Sequence, residues 1–332
     1  IYKQKFKKKL NRKMRTIFIA EAGVNHNGNI NYAKKLIDLA SRAKADYVKF
    51  QSYKVDNLIR KETKTANYQK KNIKKKITQY DLLKKYELNF NDHKKLIKYA
   101  KIKKIKFLSS VFDIESFEML IKLKIFDIKI PSGEINNIPL IKNISKKAKR
   151  VFISTGMASI KEISNAVKIL KKNKKLKNNI YLMHCHTGYP TELKDVNLLF
   201  MLSLKKKFKT NVGYSDHTKC NRVGIAAVAL GAKVIEKHFT ISKKLKGPDH
   251  SMSMEPNEII NFVKDIKSTQ KLLGSYEKKI TKVEISNKYY VRKSIVAKRF
   301  IQKGEKFSDS NLTCKRPEGG ISPIYWNKII GK

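Results

Sequence analysis

The sequence predicts a (β/α)8 barrel followed by a small appended unit, and three observations lead there. Eight short apolar or β-branched runs alternate with helix-patterned segments. Each run ends on a polar cluster, so one rim of the barrel carries all the chemistry-bearing residues. After the eighth repeat the alternation stops, and a shorter stretch of different pattern follows. An open doubly wound sheet is the alternative, but such sheets rarely need eight units.

The runs fall at 17–22, 46–51, 105–110, 127–132, 150–155, 180–185, 211–215 and 232–238. Helical patterns occupy 30–43, 91–103, 114–124, 135–147, 159–173, 196–208, 221–230 and 256–273. Several announce their own starts: Asp113 precedes Ile114-Glu-Ser-Phe-Glu, and Ser159-Ile-Lys-Glu162 has capping-box form. Gly231 stands where the segment from Asn221 to Leu230 needs a C-cap. Strand 1 ends in Glu21 and Asn25-His-Asn-Gly28, strand 2 in Lys49-Phe-Gln51, and strand 3 in Ser109-Ser110. Strand 4 ends in Pro131-Ser-Gly-Glu134, strand 5 in Ser154-Thr-Gly156, and strand 6 in His184-Cys-His-Thr-Gly-Tyr-Pro190. The strand period of two sets Lys49 with Gln51, and Glu236 with His238, on a common side.

Strands 7 and 8 carry the densest clusters, Gly213-Tyr-Ser-Asp-His-Thr218 and Ile235-Glu-Lys-His-Phe-Thr240. Joined by one helix they lie parallel, so His217 and His238 sit at the same end. Beside Asp216 and Glu236, this pair could hold a divalent metal, with water or substrate completing the shell. A pair of hydrogen-bonded polar histidines fits the spacing equally well.

Two stretches interrupt the alternation. Residues 52–80 form a polar, lysine-rich insertion after strand 2, suited to a lid or a subunit contact, and Ile241 to Glu255 is a polar loop containing Gly247-Pro-Asp-His250. The expected organisation is a basic tail at 1–15, a barrel at 16–274, a charged linker at 275–290 and a small domain at 291–332. Residue 1 is not methionine and Met14 directly precedes the first strand, so the tail is expected to lie outside the natural start.

Composition excludes more than it assigns. No segment of the 332 residues approaches the length of a membrane span, and the run Ile17 to Ala20 is too short for a signal peptide, which points to the cytoplasm. The net charge of +48 is mostly lysine spread along the whole chain and arginine is scarce, so solvated helix faces explain it better than nucleic-acid recognition. Cys185, Cys220 and Cys314 have neither disulfide nor metal spacing and read as reduced thiols, with Cys185 a core residue of strand 6.

Phe18-Ile-Ala-Glu-Ala-Gly-Val-Asn-His-Asn-Gly28, Val48-Lys-Phe-Gln51, Ile130-Pro-Ser-Gly-Glu134, Gly213-Tyr-Ser-Asp-His-Thr218 and Gly247-Pro-Asp-His250 together resemble the N-acetylneuraminate synthase family, in order, from about residue 16 onward. That family comprises the sialic acid synthases and their legionaminic and pseudaminic relatives. Residues 291–332 resemble its antifreeze-like (SAF) domain, stopping short of the family's last stretch. The resemblance implies condensation of phosphoenolpyruvate with N-acetylmannosamine, or a related acetamido sugar, to a nonulosonic acid and phosphate. The alternative within it is N,N'-diacetyllegionaminate synthesis from 2,4-diacetamido-2,4,6-trideoxymannose.

It further implies a divalent metal, manganese with magnesium or cobalt as alternatives, on His217 and His238. Lys49, Ser110, Lys129, Ser132, Ser154 and Ser215 match phosphoenolpyruvate contacts; Glu21, Gln51, Tyr189 and Asp249 match sugar contacts. Glu134, with Glu21, matches catalytic carboxylates. Arg316 matches an arginine that the SAF domain of a second subunit delivers in a domain-swapped homodimer. These residue types suit the chemistry: an enolpyruvate carbon is a weak nucleophile, so the aldehyde needs polarising. A small substrate with two anionic groups needs cations and several donors, and a cationic C2 needs a carboxylate.

Two motifs depart from the family. Ser110-Val111 stands where Thr-Pro is usual, and His186-Thr-Gly-Tyr replaces the commoner Thr-Thr-Glu-Tyr. Competing readings are a condensing barrel for a phosphorylated sugar, against which the appended domain and Tyr189-Pro190 argue, and a basic nucleic-acid binder without catalysis.

Overall fold

The computed structural model describes residues 15–63 and 78–332; the basic tail to residue 14 and the centre of the expected insertion, 64–77, lie outside them. Eight strands close a parallel barrel in chain order, which removes the open-sheet alternative. They are β1 (Ile17–Gly23), β2 (Tyr47–Ser52), β3 (Lys106–Val111), β4 (Asp127–Ile130), β5 (Arg150–Ser154), β6 (Ile180–His184), β7 (Asn211–Asp216) and β8 (Val234–His238).

The period of two divides the apolar residues into two cores. Ile19, Tyr47, Leu108, Phe152, Met183 and Val234 fill the barrel interior. Phe18, Val48, Ile128, Val151, Val212 and Ile235, on the other strand face, pack outward against helix residues such as Leu36, Leu140 and Phe262. Each such side chain contributes about 1.5–3 kcal/mol by leaving water. Gly213 on β7 is a packing requirement, because a Cβ there would lie 2.3 Å from both Cγ1 and the carbonyl oxygen of Val234.

The helix starts follow the caps. Asp113 accepts from the Ser116 amide at 2.7 Å, and Ser159 with Glu162 closes a capping box. The helix Asn221–Ala229 is followed by Gly231 at φ +92°. The helix after β4 differs from expectation: it runs Ile138–Lys147, not from residue 135, because Asn137 caps it and Pro139 sits in its first turn. Ser132–Glu134 form a separate 3-10 turn. At the ends of the insertion lie a one-turn helix, Val55–Leu58, and a helix Gln79–Tyr86 capped by Thr78.

The chain separates into one unit ending at Leu273 and a second, Gly274–Lys332. The expected charged linker contains a ten-residue helix, Lys282–Val291, opened by a Thr281/Glu284 capping box. Antiparallel strands β9 (Ser294–Ala297) and β10 (Leu312–Lys315) follow it. Among the described residues of this unit only Ser294, Asn311 and Leu312 are buried. Among the described residues no helix is long and apolar enough to cross a membrane.

Candidate active site

Parallel register brings distant strand ends side by side at the C-terminal rim. Glu21 lies opposite Lys49 on one flank and His238 on the other; Ser110 lies opposite Lys129, and Ser215 opposite Glu236. All are buried. The Glu236 carboxylate is the centre of the cluster. Its Oε1 accepts from Lys49 Nζ at 2.8 Å, Lys129 Nζ at 2.8 Å and Ser215 Oγ at 3.0 Å, while Oε2 lies 2.9 Å from Lys129 Nζ. Lys49 Nζ also lies 3.3 Å from Glu21 Oε2.

Burial and pairing push these groups apart in proton affinity. Burial opposes ionisation of Glu236, but the ammoniums of Lys129 and Lys49 outweigh it and hold the carboxyl well below its usual range. Burial pushes Glu21 up to about 8, with Glu236 adding to it and Lys49 opposing. Lys129 is drawn down to about 8 by burial, while Lys49, held by Glu21 and Glu236 against the same burial, is raised. The cluster thus gathers two buried lysines on one low-pKa carboxylate, cations placed to meet an anionic substrate.

The two histidines stand beside it with ring centroids 5.5 Å apart. His217 Nδ1 lies 2.6 Å from the His186 carbonyl. A carbonyl only accepts, so Nδ1 carries the proton and Nε2 keeps its lone pair. His238 Nδ1 is buried without a hydrogen-bond partner among the described residues, and Asp249 Oδ2 lies 3.9 Å from it. Burial drives His217 down to about 4 and His238 well below its ordinary value, so both rings are neutral. Tyr189 stacks on His217 at 4.1 Å and meets His238 edge-on at 5.9 Å.

Neutral imidazoles with free lone pairs fit a divalent metal. Among the described residues no group of three or more His, Cys, Asp or Glu is placed to hold an ion. The expected neighbours differ. Asp216 faces away from the barrel interior, because the strand period turns it opposite to Ser215, and it binds Lys237 Nζ at 2.6 Å and the Thr218 amide at 2.9 Å. Glu236 is committed to the lysines.

The remaining predicted residues fall at several positions. Ser110 and Ser154 are buried at the ends of β3 and β5, and Gln51 is half-buried at the end of β2 across from Ser110. Ser132 Oγ accepts from the Gly156 amide at 3.1 Å and lies 3.2 Å from Cys185 Sγ. Cys185 is thus buried, as a core cysteine would be, yet touches a candidate substrate-binding serine. Glu21, His238 and Asp249 converge on Gly23, where a Cβ would lie 3.3, 3.5 and 3.6 Å from their nearest atoms. Burial pushes the Asp249 carboxyl up to about 6.

Glu134 is half-buried, its carboxylate accepting from Asn137 Nδ2 at 2.7 Å; burial raises its pKa. Arg316 is exposed just past β10 and belongs to the second unit. Sequence reasoning missed the scaffold behind Asp249. His250 lies 2.6 Å from Thr240 Oγ1 and 3.2 Å from Asn27 Oδ1, and Asn25 Nδ2 donates to the Phe239 carbonyl and to Ser253 Oγ. The signal was the polar density of Asn25-His-Asn27.

Residues 36–278 match the family model NeuB and residues 292–332 the SAF domain. The chain is 49% identical over 318 residues to the N,N'-diacetyllegionaminic acid synthase of Campylobacter jejuni, covering 96% of this chain and 95% of that one. The Legionella pneumophila protein of the same name is 42% identical over 320 residues, 96% and 90% covered. Among solved structures, the N-acetylneuraminic acid synthetase of Leptospira borgpetersenii in complex with citrate is 33% identical with a TM-score of 0.72, covering 83% of this chain and 90% of that one.

Proposed function

The chain belongs to the NeuB family, and we propose that it joins phosphoenolpyruvate to 2,4-diacetamido-2,4,6-trideoxymannose, giving N,N'-diacetyllegionaminic acid and phosphate. It is a transferase of the sialic and legionaminic acid synthase type, forming a carbon–carbon bond between phosphoenolpyruvate and an acetamido sugar. The observation that carries the reaction is the pair of buried ammoniums on Glu236 beside two neutral imidazoles. The choice of sugar rests on the 49% and 42% identities to proteins named for the legionaminic product, against 33% to one named for neuraminic acid. N-acetylmannosamine is the competing substrate.

In this reading Lys49 and Lys129 share their protons' hydrogen bonds between Glu236 and the arriving phosphate and carboxylate, with Ser110, Ser132, Ser154 and Ser215 as further donors. C3 of the enolpyruvate attacks the sugar aldehyde, and the new alkoxide takes up a proton. Glu21, its carboxyl raised by burial, stands beside Lys49 as the acid that supplies it. Glu134 offers negative charge to C2 before water adds there and phosphate leaves. Gln51, Tyr189 and Asp249 orient the sugar. His217 and His238 would hold a divalent cation, manganese being the first expectation. Such an ion, when bound, supplies Lewis-acid polarisation of the sugar carbonyl.

The working assembly is a homodimer whose SAF domains, 291–332, present Arg316 to the partner's barrel. Support comes from the exposed guanidinium and from apolar side chains of the second unit that lack cover, with Val283 and Tyr290 69% and Ile324 82% exposed. Phosphoenolpyruvate is a cytoplasmic metabolite, which sets the proposed location.

Incubation with phosphoenolpyruvate, manganese and each sugar in turn, followed by mass measurement of the product, tests this. A higher kcat/KM with the diacetamido sugar is expected. Preference for N-acetylmannosamine overturns the sugar assignment, and absence of a nonulosonic acid from either overturns the reaction.

A further inference from the structure

His186 is an exposed residue on a rim loop, the position where a histidine ordinarily does nothing beyond meeting water. Its side chain is instead folded back on its own loop. The Gly188 amide donates to His186 Nδ1 at 3.0 Å. An amide N–H only donates, so this Nδ1 carries a lone pair and the proton sits on Nε2. From Gly188 the bonds continue round a closed circuit. The Gly188 carbonyl accepts from Thr191 Oγ1 at 2.8 Å, the Thr191 amide donates to the His217 carbonyl at 2.9 Å, and His217 Nδ1 donates to the His186 carbonyl at 2.6 Å. The Tyr189 ring, carried by the same loop, stacks on the His217 ring.

Only two links of this circuit on the loop side depend on replaceable side chains, the His186 imidazole and the Thr191 hydroxyl. The imidazole also requires its neighbour. A Cβ on Gly188 would lie 3.0 Å from His186 Nδ1, 3.2 Å from Cε1 and 3.4 Å from the Pro190 carbonyl, so the ring would have to shift by a few tenths of an ångström and lengthen its bond to the Gly188 amide. The two departures at 186 and 188 from the commoner loop sequence thus touch one another, since the imidazole keeps this position most easily where no side chain stands two residues on.

We propose that His186 and Gly188 form a matched brace that fixes the tautomer and ring position of His217 and seats Tyr189 against it, making His186 a positioning residue for the metal and sugar sites. The proposal rests on the reading of His217 as a metal ligand. Second-sphere partners that orient a ligating histidine typically hold about 10–100-fold in metal affinity. His186 acts through its backbone carbonyl, which substitution leaves in place but unanchored, so the lower end applies.

The test is titration of manganese into the metal-free protein, followed by the paramagnetic resonance of unbound ion, with kcat measured in parallel at saturating metal. H186A and G188A are each expected to weaken manganese binding about tenfold, with kcat recovering at saturating manganese. H186N should bind nearly as wild type, because Asn Oδ1 stands at the same bond distance as Nδ1 and accepts from an amide two residues on. The double variant H186A/G188A should be no weaker than H186A, since the space that the methyl needs has been vacated. Wild-type affinity in H186A, H186N as weak as H186A, or additive losses in the double variant would each overturn the brace. A wild-type protein that takes up no manganese removes the metal reading beneath it, an outcome distinct from those three.

Discussion

Two ammoniums on a single carboxylate oxygen make Glu236 the residue whose loss should be felt most widely. Glu236→Gln keeps the shape but leaves Lys129 buried without its carboxylate partner and Lys49 with Glu21 alone. Removing one partner of a buried pair typically costs about 3–5 kcal/mol, so the urea midpoint should fall markedly while turnover is lost; an unchanged midpoint would show the lysines to be compensated elsewhere. A second residue-scale effect concerns acid. Burial, with His93 and His250 nearby, draws His26 from 6.5 down to about 4, and its Nδ1 accepts from the Gly28 amide. A depressed folded-state pKa contributes stability that is present above about pH 6.5 and lost as pH falls through about 4. Glu21, raised to about 8, acts in the opposite sense, its contribution full below about pH 4.5 and lost on the way to pH 8. Comparing slopes isolates the histidine: His26→Asn should flatten the fall of the denaturation midpoint between pH 6.5 and 4, and an identical slope would remove His26 from the account. Lys49, His217 and His238 were legible as polar residues closing apolar runs, and Lys129 only through the family resemblance. The commitment of Glu236 to Lys129, 107 residues away, was not, because periodicity fixes a side chain's face and says nothing of its partner across the barrel.

The strands and their helices were legible because each carries its own pattern and caps, and the barrel closes only if those patterns agree on facing. Gly213 shows how tightly. With Val234 2.3 Å from the site of an added Cβ, Gly213→Ala should destabilise the barrel by about 3 kcal/mol through overpacking, read as a lower midpoint in chemical denaturation. A midpoint within error of wild type would mean that β7 and β8 can shift apart. Where the reading of elements went astray, a local signal had been outweighed by a longer one. The apolar run Ile135 to Ile144 suggested one helix, yet Asn137 and Pro139 set its start at Ile138. Residues 275–290 read as a linker because their charge hides any apolar stripe, and none of the residues Lys282–Val291 is buried. The Thr281-Lys-Val-Glu284 box was nevertheless in the sequence and marks where that helix opens.

At the scale of the molecule, a large barrel unit with two cores is joined to a second unit holding a single buried apolar side chain, Leu312. So small an interior calls for support from outside itself, which is what the proposed assembly, with Arg316 serving the partner's site, would supply. Mixing Arg316→Ala subunits with His217→Ala subunits examines that arrangement. In a reciprocal dimer one mixed site carries both lesions and the other none, so activity should reappear from two inactive parents. Mixtures that exchange subunits yet stay inactive would rule out delivery in trans. The central claim, that this rim condenses phosphoenolpyruvate with an acetamido sugar through the lysine–glutamate cluster and the histidine pair, is tested most directly by measuring phosphate and nonulosonic acid together, before and after chelation. The account predicts equal amounts of both, loss of both in excess EDTA, and recovery when manganese is returned. Phosphate released without the sugar acid, or turnover undiminished in excess EDTA, would contradict it.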